Sequence, residues 1–285
     1  MESEEGSAKG IVLSPPQYLV RIPVVGAGQS VMQQHSNMTP SHLLIIGAPR
    51  SGTTLLATMI SRHTEIAILN EDKGWAMKKV LGKRIVGNKR CVPNQIEIRK
   101  PSRLRFRFLK TIGLANEYQS SEFSIEDYLK LPNIKLIGII RCGDDVISSI
   151  MSRGRKRFPQ AAYRWCRAVE IIHEIVARSP NAMLVVSFEG LVLHPRRNME
   201  RVADFLNVDY QDRFLEGPQY NPWYPEANMN RAKVNSSRRG NVDFALSERF
   251  PAQYRQYQKL LEVSEGPAPQ RFEELEAANF QRVGL

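Results

Sequence analysis

The chain has 285 residues, 42% hydrophobic and 24% charged, with 40 Lys and Arg against 29 Asp and Glu and a net charge of +11. That suffices for one large α/β domain or two small ones; there is no apolar run near the ~20 residues of a membrane helix, and the polar start MESEEGSAKG is unlike an export leader, so a soluble, cytoplasmic protein is expected. Three cysteines without C-x-x-C spacing and five scattered histidines argue against a disulfide framework and give a metal site no support.

Residues 1–41 are rich in Ser, Gly, Gln and Pro, with one apolar patch, YLVRIPVV, of edge-strand character. They are expected to form an arm, poorly ordered or loosely docked, ahead of a single domain over 42–285. From residue 42, β-branched runs alternate with helical patterns, the signature of a parallel sheet with crossover helices. Strands are predicted at 43–47, 66–69, 84–87, 135–140 and 182–188. Helices are predicted at Thr53–Arg62, Ser124–Leu131 with a Ser124/Asp127 capping pattern, Asp144–Arg153, Pro159–Ala177, Pro195–Leu206 and beyond Leu246, before a Gly266-Pro-Ala-Pro269 break. The predicted class is α/β, a three-layer P-loop-type parallel sheet flanked by helices.

In open parallel sheets ligands bind beyond the carboxyl ends of the strands, where helix N-termini converge. The predicted strands run into Pro49-Arg50-Ser51-Gly52, Asn70-Glu71, Asn88-Lys89 and Arg141, which bring two arginines, a lysine and a carboxylate to one edge. The first of these segments, Gly47-Ala-Pro-Arg-Ser-Gly52-Thr-Thr54, has the glycine spacing of a phosphate loop, with Thr53 where the lysine of G-x-x-x-x-G-K-[ST] would stand. Its amides open a helix that favours an anion, Thr53 and Thr54 add hydroxyls, and Arg50 brings a forked cationic donor. A magnesium-dependent kinase needs the missing lysine and usually a carboxylate at a neighbouring strand end, where this chain has Arg141. Arg141 and Ser149, eight residues apart across a strand-to-helix turn that Asp144 or Asp145 can cap, suit a second phosphate. Between Lys78 and Lys110 twelve Lys and Arg face one acid, Glu97, which favours an anionic ligand or a solvated basic surface.

These residues resemble the sulfotransferases that use 3′-phosphoadenosine 5′-phosphosulfate (PAPS). PRSGTT is similar to their 5′-phosphosulfate loop, Arg141 and Ser149 have the spacing of their 3′-phosphate site, and Arg50 takes the place of the usual lysine. PRSGTTLLATMISRHTEIAILNE is most similar to the branch of tyrosyl-protein sulfotransferases and bacterial enzymes, and Glu71 falls on that branch's catalytic carboxylate. Asn88-Lys89 resembles its N/D-K element, and VVSFEGLVLHPRRNMERVADFLNV its Y-E-D-L element, with Phe188 for Tyr and Gly190 for Asp. The resemblance spans residues 43–260. It implies metal-independent, in-line transfer of a sulfuryl group from PAPS to a hydroxyl, with PAP as product, Glu71 as general base, and Arg50 and Lys89 on the transferring group. Arg50, Ser51, Gly52, Thr53, Thr54, Arg141 and Ser149 would hold the cofactor, joined by Ser236, Ser237 and Arg238 of a late VNSSRRGNV loop. The histidine base of the cytosolic branch has no counterpart, since no histidine lies between His63 and His173. The acceptor hydroxyl, on a carbohydrate, phenol, lipid or peptide tyrosine, is left open. An anionic acceptor suits the basic segment, no nucleic-acid partner is expected, and oligomeric state is open. The alternatives are a P-loop small-molecule kinase and a non-catalytic polyanion-binding protein.

Overall fold

Short aliphatic runs form five parallel strands, β1 (Ser41–Gly47), β2 (Ile66–Asn70), β3 (Ile85–Cys91), β4 (Ile134–Ile140) and β5 (Met183–Ser187), in the order β2-β3-β1-β4-β5. They belong to a computed structural model that describes residues 41–73, 77, 80, 82–99, 123–154, 156–220 and 243–267. All of these fall in one compact unit, Thr39–Leu285. Residues 1–40 of the expected arm, YLVRIPVV among them, lie outside the described residues, while Ser41, assigned to the arm, opens β1.

β1 is central, and its apolar run is covered on both faces because each face has its own helical layer. Leu43 and Ile45 of β1, with Ile137 and Ile139 of β4, pack under α1 (Thr53–Ile60), α5 (Phe188–Leu193) and α6 (Pro195–Leu206). Leu44 and Ile46, with Leu136 and Ile140, pack under α2 (Ile125–Leu129), α3 (Gly143–Gly154), α4 (Phe158–Arg178) and α8 (Pro251–Glu265); a short α7 (Leu246–Arg249) adds Leu246 to this face. Alternation along the strand thus divides one run between two cores, and each fully buried Leu or Ile contributes about 1.5–3 kcal/mol. The predicted three-layer α/β class is the observed one.

Two features stiffen the sheet edge that matters below. Ser124 caps α2 with both bonds of a capping box, its hydroxyl accepting from Asp127 N–H while Asp127 accepts from Ser124 N–H, as the sequence pattern predicts. Arg167 of α4 donates to both oxygens of Glu97, at 3.1 and 2.8 Å, and so ties the segment after β3 to the helical layer.

Three differences from expectation bear on the site. β3 does not stop at Gly87 but runs on through Cys91, because register with β1 continues from Ser41↔Ile85 to Gly47↔Cys91. Asn88 and Lys89 are therefore inside the strand rather than beyond its end. Phe188, expected to finish β5, instead opens α5, whose N-cap Ser187 accepts from Gly190 N–H. Asp144 and Asp145 do not cap α3: they lie in its first turn, and Cys142 precedes it.

Candidate active site

The chain leaves β1 toward β2 and returns through β3 to β1's flank before crossing to β4, so the strand order reverses about β1. Ligand crevices in open sheets form at such points. The phosphate loop fills this one. Its shape depends on Gly52, at φ 99°, and on Arg50, at φ 73°. Gly47 ends β1 in register with Ile139 of β4, and a β-carbon there would lie 2.6 Å from both Ile139 O and Ser51 Oγ, so the loop can fold back at this point only over a glycine. Ser51 is buried, and both its N–H and its hydroxyl donate to Ala48 O, so the side chain expected on the cofactor is committed to the loop's own turn. Gly52 supplies no side-chain cap to α1, whose first amides have no intrahelical partner. Thr54 is half-buried at that end, and Thr53 is buried with its hydroxyl 3.7 Å from Cys91 Sγ.

Arg50, Arg141 and Ser149 meet. Arg50 Nε donates to Ser149 Oγ at 3.2 Å, and Arg141 Nη1 donates to Arg50 O at 3.2 Å. Arg141 is braced by Asp145 at 3.2 Å and lies over the Phe188 ring, 4.2 Å from its centre. Its own carbonyl accepts from Trp165 Nε1, at 3.2 Å. Its Nε has no acceptor among the described residues, a buried donor that an anion beside Arg50 and Ser149 would satisfy. Phe188, which replaces a Tyr of the resembled element, gives the guanidinium an aromatic floor; a sequence reading that looked for polar ligands passes over it.

The second group faces the β2 side. Lys89 Nζ donates to Glu71 Oε1 at 2.6 Å; the lysine side chain is 2% exposed and the glutamate 41%. Lys89 reaches the carboxylate from inside β3, where it is paired in register with Asn70 of β2, so Glu71 begins the turn directly beyond that pair. Glu71 itself is left-handed, at φ 60°. A non-glycine residue there costs about 1–3 kcal/mol and persists only where neighbours over-determine it. Here Glu71 N–H donates to Lys89 O at 2.9 Å, while Glu71 O accepts from Arg90 Nη1 at 2.7 Å.

Cys91 links the two groups. It ends β3 level with Gly47, touches Thr53, and its thiol is acted on by the charges of Lys89 and Glu71. Burial pushes that thiol up, as it does Cys142, whose rise is partly offset by the amides of Asp144 and Asp145, and Cys166, pushed up to about 12. Ser236, Ser237 and Arg238 lie outside the described residues, as does much of the 78–110 basic segment. Among the described residues no group of three or more His, Cys, Asp or Glu side chains is arranged to hold a metal ion, and no helix is long and apolar enough to cross a membrane.

A family model described as "Sulfotransferase family" matches residues 128–212, from α2 through Arg141 and Ser149 to the end of α6 and a little beyond. Protein-tyrosine sulfotransferase A of Caenorhabditis elegans is 27% identical over 222 residues, 64% of this chain and 54% of that protein. The protein-tyrosine sulfotransferase of Drosophila melanogaster is 24% identical over 218 residues, 62% of this chain and 40% of that protein. Over these stretches the chain is similar to sulfotransferases. It spans about half the length of the curated relatives it matches. In fold it is similar to the sulfotransferase domain from the curacin biosynthetic pathway, with a TM-score of 0.54 at 14% identity over 80% of this chain and 99% of that one. The sulfotransferase domain of the Synechococcus PCC 7002 olefin synthase gives 0.50 at 16% identity, over 83% and 99%. The family model's match lies on the Arg141 side of the crevice, whereas Arg50, Glu71 and Lys89 lie upstream of it. For those three the assignment rests on the geometry above.

Proposed function

We propose that this protein transfers a sulfuryl group from PAPS to an acceptor hydroxyl. The observation that carries this reading is the Glu71–Lys89 pair, a half-exposed carboxylate on a buried ammonium at the strand ends that also hold the anion loop. PAPS, when bound, supplies the activated sulfuryl group and a phosphate leaving group. The described residues suit it: Arg141, Ser149 and Arg50 form a cationic, hydroxyl-bearing corner with an unsatisfied Nε–H, and the Gly52–Thr54 end of α1 offers amides and the Thr54 hydroxyl. Arg141 and Ser149 would hold the 3′-phosphate and the loop the 5′-phosphosulfate; Ser236, Ser237 and Arg238 are assigned to the cofactor by sequence resemblance alone.

Glu71 takes the acceptor's proton, for which a carboxylate open to solvent on one side and fixed by a buried partner on the other is suited. Lys89 and Arg50 place positive charge where it grows negative in the transition state, a role worth ~3–4 kcal/mol per donor. No metal is assigned a part. The curated relatives are named for protein tyrosine; here the acceptor hydroxyl is left open among a peptide tyrosine, a phenol, a carbohydrate and a lipid, and the basic segment favours an anionic one. The test is incubation with radiolabelled PAPS and four probes, namely an acidic tyrosine peptide, p-nitrophenol, N-acetylglucosamine and cholesterol, with Arg50→Ala as control. Label is expected on at least one probe and not with the variant. Label on none of these, together with magnesium-dependent ATP consumption, overturns the proposal in favour of a kinase.

A further inference from the structure

β3 carries three polar residues in succession inside the sheet, Asn88, Lys89 and Arg90, and all three are buried. Alternation sends Lys89 and Cys91 to the α1 face, where Cys91 meets Thr53, and Asn88 and Arg90 to the opposite face, where Asn88 Nδ2 donates to Tyr128 Oη at 2.9 Å. The Arg90 side chain is fully buried, 0% exposed, yet its acceptors are main-chain carbonyls rather than a carboxylate. Nη1 donates to Glu71 O at 2.7 Å and to Asp72 O at 2.9 Å, and Nη2 donates to Gln95 O at 2.7 Å. Burial holds this guanidinium below its ordinary range, opposed by Tyr128, Glu71 and Asp72. Asn88 grips the same turn, accepting from Asp72 N–H at 3.1 Å and donating to Asp72 O at 2.9 Å.

A desolvated arginine is a costly way to stabilise an ordinary turn, since a buried cation without a carboxylate partner is disfavoured. What it holds here is the left-handed residue whose side chain meets Lys89. We infer that Arg90 is a positioning residue: by gripping the carbonyls of Glu71 and Asp72 from the face of the sheet opposite Lys89, it holds the Glu71 carboxylate in the crevice. The inference rests on the proposal that Glu71 is the general base. Lys89 fixes the carboxylate directly, while Arg90 fixes the peptide that carries it: Nη1 takes both successive carbonyls and Nη2 anchors the same guanidinium to Gln95 O, a two-nitrogen grip that a single ammonium cannot reproduce.

The experiment is a double-mutant cycle. Arg90→Lys keeps the charge and loses the fork; Arg90→Met keeps the length and loses both, and serves if the lysine variant does not fold. Each is made in the parent and in Glu71→Gln, and assayed with PAPS and the best acceptor of the four probes, with PAP binding by calorimetry and amide exchange at Glu71 and Asp72. In the parent background turnover is expected to fall about 10- to 100-fold, as misplacement of a reacting group by about an ångström does. Acceptor KM and PAP affinity should stay within threefold, and the two amides should exchange at least tenfold faster. In the Glu71→Gln background the further loss should be under twofold, because residues that act through one group are non-additive. The same fold-loss in both backgrounds, turnover within twofold of the parent, or unchanged amide exchange overturns the positioning role. Parent-like turnover by Glu71→Gln alone overturns the base assignment and the inference with it, and is read in a separate protein from the failures specific to Arg90.

Discussion

Replacing Lys89 by Met separates the energetics of the site from its chemistry, because stability should hardly change while turnover falls. The ammonium is 2% exposed, while the carboxylate it holds at 2.6 Å is 41% exposed. Losing that charge-assisted bond removes about 1.5–3 kcal/mol, but it also removes a desolvation penalty of several kcal/mol, and Met fills nearly the same volume. Glu71 is left facing water rather than stranded, so the net change should lie within about 1 kcal/mol of zero, a shift of roughly 2–4 °C in Tm for a domain of this size. The reverse change, Glu71→Gln, leaves the buried ammonium without its counter-charge and should cost more stability. Turnover has no such compensation. A donor that meets charge developing in the transition state is worth ~3–4 kcal/mol, or about 10²–10³ in kcat. Thermal melts and PAPS turnover on the same preparations measure both. Turnover within threefold of the parent would show that Lys89 is merely a buried partner of Glu71, and a Tm drop beyond roughly 10 °C would show that the ammonium is not over-buried as argued.

Arg141→Ala removes the donor with the unsatisfied Nε and the brace on Arg50 O, and should weaken PAP binding about 10- to 100-fold by calorimetry, while an unchanged isotherm would relocate the 3′-phosphate. Gly52→Ala forces a side chain to φ 99° and places its β-carbon 2.5 Å from the Phe188 ring, so a Tm loss of about 4–8 °C and PAP affinity at least tenfold weaker are expected; parent-like melting would mean that the ring yields freely. Asp144 gives a pH test with a definite sign. Burial holds its carboxyl above the ordinary range, against the Phe244 N–H it accepts. The folded state therefore binds this proton more tightly than the unfolded chain, so the charge costs nothing below the ordinary carboxylate pKa and its cost grows as pH rises through the folded value. Asp144→Asn, which keeps an acceptor for Phe244, should melt above the parent at pH 7 and lose that advantage near pH 3; equal differences at the two pH values refute the assignment.

The sheet was legible because each strand is a β-branched run bounded by turn residues, and α6 was legible to the residue because Pro195 starts it and Asn207, at φ 58°, ends it. The loop and the Arg141–Ser149 spacing were legible because glycines and an eight-residue offset leave a local trace. Lys89 was placed beyond a strand end because a polar triplet within a parallel strand contradicts the rule that such strands are apolar throughout. What overrides the rule is register: β3 must reach Cys91 to pair with Gly47, and the polar side chains are tolerated because Glu71, Tyr128 and main-chain carbonyls satisfy them. Ser51 illustrates the converse. Its type and place suited a ligand, but the loop's own turn takes its hydroxyl.

Main-chain acceptors explain why the remainder was invisible. Both left-handed non-glycine residues of the crevice, Arg50 and Glu71, have a carbonyl held by an arginine from a neighbouring strand or its outlet: Arg141 holds Arg50 O at 3.2 Å, and Arg90 holds Glu71 O at 2.7 Å. Twenty-one residues separate the two turns in sequence, and β1 and β2, which lead into them, lie on either side of β3 in one parallel sheet. Each peptide adopts a conformation that costs about 1–3 kcal/mol, and each is fixed by a donor whose sequence shows only a basic residue among many. Because carbonyls carry no side-chain identity, no residue pattern announces such a bond. The two clamps nevertheless set where the guanidinium of Arg50 and the carboxylate of Glu71 stand, and so the fit of the crevice for an anionic donor and a hydroxyl acceptor depends on arginines that need not touch the acceptor.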